Sequence, residues 1–172
     1  MKHESKSIST FAEMVDQARR CGPLRVAVAA AADREVLQAV AQAHAEGIAE
    51  PILVGNKGEI LDLAAGIGFD LRACTIFDQP EAKRAAFDVV GLAAQGKADV
   101  VMKGQLKTNE LLAAALRREG GIRDTNLLTH VGIFEIPRMD RLIYISDSGV
   151  VLHPDIYQKL EIIQNVVEVA HC

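Results

Sequence analysis

Lys103, Gly104 and Thr108 are the residues whose types and spacing first suggest chemistry. They lie in "ADVVMKGQLKTNELLAAALRREGG", residues 98 to 121, where an apolar run climbs to a lysine and a glycine and helical periodicity begins a few positions later. Lys103 offers positive charge and Gly104 lets a backbone come close to a ligand. A helix starting near Thr108 presents unbonded N–H groups to an anion. The segment "KGQLKT" superficially resembles the phosphate-cradling G-x-x-x-x-G-K-[ST] loop, but Leu106 stands where that loop needs glycine, and its side chain blocks backbone approach to phosphate. A plainer reading competes, in which Lys103 is a solvated strand-end residue and Thr108 a simple helix cap.

Other candidates are scattered. His130 stands in an apolar run, where one hydrogen-bonded tautomer is the default and a ligand-contacting or acid/base role the alternative. Asp147-Ser148-Gly149 follows another apolar run; it suits a ligand hydroxyl or amine, and it is also ordinary turn chemistry. Arg123, Arg141, Lys83 and Arg84 offer positive charge for anions, although exposed basic residues commonly bind nothing specific. No Ser or Cys pairs with a base, and no His, Asp or Glu cluster has metal-ligand spacing.

These residues need elements to hold them. "STFAEMVDQARR", residues 9 to 20, reads as a surface helix behind a Ser9 or Thr10 cap, and "LRVAVAAA" at 24 to 31 as a strand covered on both faces. Asp33 caps a helix ending at Gly47, "EPILVG" is a strand, Asn56 opens a helix through Ala65, and "ACTIFD" is a third strand. Residues 80 to 95 form a helix with Pro80 suited to its first position, "DVVMKG" is a fourth buried strand, and 108 to 118 are helical. Repeated strand–helix alternation predicts a mostly parallel sheet between helix layers, with ligands at the strands' carboxyl ends. Lys103 and Gly104 fall at such an end. The rhythm then breaks near 120 to 126. The runs 127 to 136 and 141 to 146, separated by Pro137-Arg138-Met139-Asp140, predict a paired ribbon. Last comes a helix whose stripe of Ile156, Leu160, Ile163, Val167 and Ala170 asks for a sheet to lie on.

Composition narrows the options. The 172 residues are 49% apolar and 24% charged, with a net charge of −4, so there is no basic footprint for nucleic acid or an anionic membrane. Any bound anion must be gripped locally. Cys21, Cys74 and Cys172 make no metal or C-x-x-C pattern and read as reduced thiols in a cytoplasm. The opening "MKHESKSIST" is polar, and no run nears the roughly 18 apolar residues of a membrane span, so neither export nor membrane insertion is expected.

The segment from Val100 to His171 resembles the phosphate acetyl/butyryltransferase family, most closely its phosphate butyryltransferase branch. The likeness runs from about Phe11 onward. It is most specific in M-K-G-x-x-x-T, in "THVGIFEIP", and in the strand, acidic turn and P-D-x-x-x-K-x-x-I-I-Q-N helix at 142 to 165. It implies an α/β fold: a three-layer αβα sandwich with a mostly parallel sheet, of the isocitrate/isopropylmalate dehydrogenase-like kind, followed by the start of a second lobe. Residues 1–126 would be the first domain, and 127–172 a hairpin plus helix beginning a truncated second. The implied reaction passes a short acyl group between CoA and inorganic phosphate, reversibly, with acyl-CoA and phosphate as substrates. No cofactor and no metal are implied, and homo-oligomers are expected.

Two polyanions must then be gathered and an oxyanion stabilised, which suits lysine, arginine and helix N-termini. Lys103, Gly104, Thr108, His130, Asp147 and Ser148 become the expected substrate- and phosphate-binding residues. The family's thiol-binding Ser, oxyanion Arg and general-base Asp have no counterpart here, so the catalytic residues stay unassigned and the short chain is expected to be inactive alone. The alternative is a non-catalytic remnant that binds CoA, an acyl phosphate or a full-length partner. Phosphate:acyl-carrier-protein acyltransferases share the broad fold. So do metal-dependent decarboxylating dehydrogenases, whose aspartate cluster and arginine set are not seen.

Overall fold

Four short apolar runs pair side by side in the computed structural model, which describes residues 7–123 and 127–171. They are β1 (Leu24–Ala29), β2 (Ala49–Gly55), β3 (Thr75–Asp78) and β4 (Val100–Lys103), all parallel, in the order β3-β2-β1-β4. The register pairs Ala29 with both Val54 and Lys103, so the carboxyl ends of β1, β2 and β4 finish level. The chain lays β2 and β3 outward on one side of β1 and then returns to place β4 on the other.

Helices cover both faces, because alternate strand residues point opposite ways. Ala27, Ala29 and Val54 face α4 (Ala82–Ala94) and α5 (Thr108–Ala115), burying Ala85, Ala86, Val89, Val90 and Ala114. Val28 and Leu53 face α2 (Arg34–Ala45) and α3 (Lys57–Ile67), burying Leu37, Val40 and Ile60. The first layer is largely alanine and valine, so helix and sheet backbones come close. The second holds the larger side chains. This is the expected three-layer sandwich.

Local signals explain most helix ends. Asp33 accepts the Val36 N–H at 3.0 Å and Asn56 accepts the Glu59 N–H at 3.2 Å, each removing an orphan donor. Gly68, at φ +71, ends α3 in the left-handed cap geometry that glycine adopts without strain. In α1 (Phe11–Cys21), Thr10 Oγ1 accepts the Glu13 N–H at 3.2 Å. Three boundaries differ from expectation. α4 begins at Ala82 behind Glu81, with Pro80 outside it, because Glu81 holds the extended cap conformation. α5 stops at Ala115, and α3 runs on to Ile67.

The expectation of a fully buried fourth strand is corrected. β4 pairs only with β1 and is a sheet edge among the described residues, with Val100 39% exposed. At its start, Arg25 and Asp99 form a two-pronged ion pair at 2.7 and 2.9 Å, and the Asp99 carboxylate also takes the Arg25 N–H. This clasp fixes the β1/β4 register at the amino end of the sheet, away from the strand tips.

The chain divides into two compact units, Ala18–Asp124 and Met1–Gln17 with Thr125–Cys172. In the second, β5 (Gly132–Glu135) and β6 (Leu142–Ile145) form the antiparallel ribbon expected from the two apolar runs. The Phe11 N–H donates to Glu135 Oε2 at 2.6 Å, which ties the first turn of α1 to this ribbon. α6 (Ile156–His171) packs on β6 through Ile162, 8% exposed. The stripe that asks for a sheet, Ile156, Leu160, Ile163 and Val167, is exposed, and the buried helix face is centred on Ile162. Part of the sequence break at 120 to 126 and Cys172 lie outside the described residues. Among the described residues no helix is long and apolar enough to cross a membrane.

Candidate functional site

The carboxyl ends of β1 and β4 meet where strand order reverses, the usual ligand position of an open parallel sheet. Gly104 sits at this junction. Its N–H donates to Ala29 O at 2.8 Å, and the next N–H, of Gln105, donates to Ala30 O at 2.9 Å. A Cβ on Gly104 would lie 2.4 Å from Ala30 O and 2.6 Å from Ala29 O, so only glycine lets the β4 tip seat against β1. Ala30 itself holds φ +52, a left-handed conformation that costs a non-glycine residue about 1–2 kcal/mol. Nothing in the sequence flags that strain; the signal at Gly104, a glycine closing an apolar run, was legible.

Lys103 and Thr108 flank the same loop. The Lys103 ammonium turns back over it, donating to Gly104 O at 3.1 Å and Leu106 O at 3.0 Å, while Leu106 inserts its side chain into the core. Thr108 is not the cap of α5; Lys107 occupies that position and Thr108 is the first helical residue, exposed. The Glu110 carboxylate accepts the Lys107 N–H at 3.1 Å, so the helix N-terminus expected to present free donors already carries a negative group. The sequence clue was Glu110, three residues after Lys107, at the spacing where an acid reaches back to a cap.

His130, Ser146 and Asp147 are brought together at one end of the β5/β6 ribbon, in the other unit. His130 precedes β5 and is exposed, which corrects the expectation that it lies within a strand. Its N–H donates to Asp147 Oδ1 at 2.7 Å and its carbonyl accepts from Ser146 Oγ at 2.9 Å. Asp147 Oδ2 accepts the Val151 N–H, so this carboxylate organises the loop leading to α6. The Ser146–Asp147 peptide is cis. Ser148 is exposed beside it. Asn165 of α6 donates to Thr129 Oγ1 at 3.0 Å and fixes the neighbouring segment.

A groove of about 400 Å³ that no sequence signal announced runs between β3 and α4, lined by Phe77, Asp78, Phe87, Asp88 and Leu92 among others. The Arg117 guanidinium lies 4.7 Å from the centre of the Phe87 ring. Asp78 Oδ1 takes the Lys57 N–H at 3.0 Å, and Asp88 Oδ2 takes a Gln79 amide hydrogen at 3.2 Å.

The most perturbed carboxylates lie outside these places. Asp99 is held down to about 2, chiefly by its hydrogen bonds from the Arg25 guanidinium, and Asp70 to about 2 by those from Arg72. Burial pushes the Cys74 thiol up, away from reactive thiolate. Among the described residues no group of three or more His, Cys, Asp or Glu is arranged to hold a metal.

A parallel sheet whose strand order reverses beside β1, with Gly104 seated at the reversal, defines an open-sheet α/β protein, a class whose ligands commonly lie at the strand tips. The family described as Phosphate acetyl/butaryl transferase matches residues 10–91 and 83–172, and the chain belongs to it. Its relatives include phosphate butyryltransferase of Clostridium acetobutylicum, 39% identical over 164 residues, covering 95% of this chain and 54% of the relative. Phosphate acetyltransferase of Thermotoga maritima is 35% identical over 161 residues, covering 92% and 53%. The chain spans about half the length of the curated relatives it matches. Among solved structures, a branched-chain phosphotransacylase from Enterococcus faecalis V583 matches with a TM-score of 0.73 at 25% identity, covering 86% of this chain and 51% of that one. A phosphotransacetylase from Streptococcus pyogenes, at 19% identity and TM-score 0.73 over 94% of this chain and 59% of that one, shares the fold.

Proposed function

We propose that this chain forms part of a phosphate acyltransferase that moves a short acyl group between CoA and inorganic phosphate. The observation that carries this reading is Gly104 seated at the β1/β4 switch point in a chain that the family matches over residues 10–172. In one direction the CoA thiolate sulfur attacks the acyl phosphate carbonyl carbon; the C–S bond forms, the C–O bond to phosphate breaks, and inorganic phosphate leaves. In the other, a phosphate oxygen attacks the thioester and the thiolate departs. Both directions pass through a tetrahedral oxyanion, which positive charge and backbone N–H groups stabilise.

Lys103, Gly104 and Thr108 are proposed to receive phosphoryl oxygens. Lys103 then exchanges the carbonyls of Gly104 and Leu106 for the anion, a change of rotamer on a flexible stem. His130, Asp147 and Ser148 are proposed to contact substrate in the other unit, with Asp147 also holding the loop. No cofactor is proposed, copies of the chain are proposed to associate, and the compartment proposed is the cytoplasm.

Thiol release from butyryl-CoA and phosphate tests turnover, and calorimetry with butyryl phosphate and with CoA tests binding. Binding of butyryl phosphate that weakens at least about tenfold in Lys103→Met supports the reading; no binding of either ligand overturns it. A second reading is a non-catalytic binder of CoA or an acyl phosphate. Tight CoA binding with no thiol release would support that reading, and normal turnover would discard it.

A further inference from the structure

The ribbon of β5 and β6 ends in a strained and exposed tip. The Met139 N–H donates to Ile136 O at 3.0 Å, closing a turn with Pro137 second and Arg138 third. Arg138 holds φ +72, the position where this turn normally carries glycine or asparagine. A residue kept there against the backbone's preference points to a use for its side chain. No hydrogen bond or ion pair engages Arg138 among the described residues. Two apolar side chains flank it in the open, Ile136 at 43% and Met139 at 40% exposure.

The β3/α4 groove has the converse chemistry. Phe77, Phe87 and Leu92 form its apolar wall, and Asp78 and Asp88 stand on its rim, each using one carboxylate oxygen in the hydrogen bonds described above. None of its lining residues is basic, and the Arg117 guanidinium stacks on Phe87. β3 is a sheet edge, so nothing pairs with its outer side among the described residues.

We propose that the Ile136–Met139 tip of one copy docks in the Phe77/Phe87 groove of a second copy, Arg138 meeting Asp78 and Asp88 while Met139 packs on the phenyl rings. Charge complementarity selects this occupant: an unpaired guanidinium between two apolar side chains meets two carboxylates around two phenyl rings. Glu135, Asp140 and Arg141 flank the tip, and Arg138 is the charged residue between Ile136 and Met139. The exposed α6 stripe is the rival surface, and nothing on it selects a partner. The proposal rests on the reading that copies associate and is independent of the acyl-transfer chemistry.

Sedimentation velocity over a concentration series of the 172-residue chain tests it. The wild type is expected to self-associate, Arg138→Glu and Asp88→Lys each to weaken association at least about tenfold, and the double variant to restore it. Arg138→Gly, which relieves the turn, is expected to raise the melting temperature while weakening association, so loss of folding cannot mimic the result. A wild type that stays monomeric overturns both the proposal and the reading that copies associate. Association that ignores Arg138→Glu but is lost in Leu160→Glu overturns the proposal alone and places the contact on α6.

Discussion

Gly104 and Ala30 meet so closely that a Cβ on the glycine would lie 2.4 Å from the alanine's carbonyl oxygen. Two backbones therefore share the space at the β1/β4 switch point. Gly104→Ala is expected to destabilise the chain by about 3 kcal/mol, at the upper end of what overpacking costs. Gly66→Ala, within α3 where an added Cβ meets nothing within 4 Å, is expected to stabilise by up to about 1 kcal/mol. Urea unfolding midpoints separate the two.

Ala30 supplies the opposite experiment. Relieving φ +52 regains about 1–2 kcal/mol of left-handed strain, from which the added freedom of an unfolded glycine subtracts roughly 0.4–1. Ala30→Gly is thus expected to be neutral or slightly stabilising, and Ala30→Val to lower the melting temperature.

Lys103→Met removes a donor from the carbonyls of Gly104 and Leu106 as well as a charge from the strand tip. A loss of about 1–2 kcal/mol is expected on thermal or urea unfolding. Lys103→Arg preserves the charge but not the compact ammonium, so it is expected to recover binding of butyryl phosphate only in part.

Asp147 receives two backbone donors at once. Asp147→Ala leaves the His130 and Val151 N–H groups without that partner and is expected to cost about 2–3 kcal/mol. Faster hydrogen exchange at those two amides is the local signature.

Acidification reads the exposed ion pairs. Asp99 and Asp70 have folded values of about 2 against an ordinary 3.8, so each adds stability above the ordinary value and loses it as pH falls toward about 2. Carboxyl NMR titrations are expected to show both low midpoints. Arg25→Met is expected to return Asp99 to the ordinary range while leaving Asp70 unchanged. Both pairs are exposed, so the effect on global stability is small.

The order and type of the elements were legible because they are set by neighbours along the chain. Asp33 and Asn56 announced their helices, and two apolar runs around Pro137 had no room between them for anything but a turn. Gly104 at the end of an apolar run marked a strand tip for the same local reason. His130 was misplaced because an apolar run does not reveal where pairing begins; the start of α5 at Thr108 was legible, and its cap, Lys107 held by Glu110, was not.

Strand order, by contrast, depends on residues far apart meeting. Only the tertiary structure decided that β4 returns to the free side of β1, that Asp99 clasps Arg25 across 74 positions, and that Ala30 must strain to accept Gly104. It also decided that β3 and α4 leave an aromatic groove, and that α6 buries Ile162 while its longer apolar stripe stays exposed. Local sequence specifies which faces are apolar; which face finds a partner is a property of packing, set by shape and by the entropy of closing each loop.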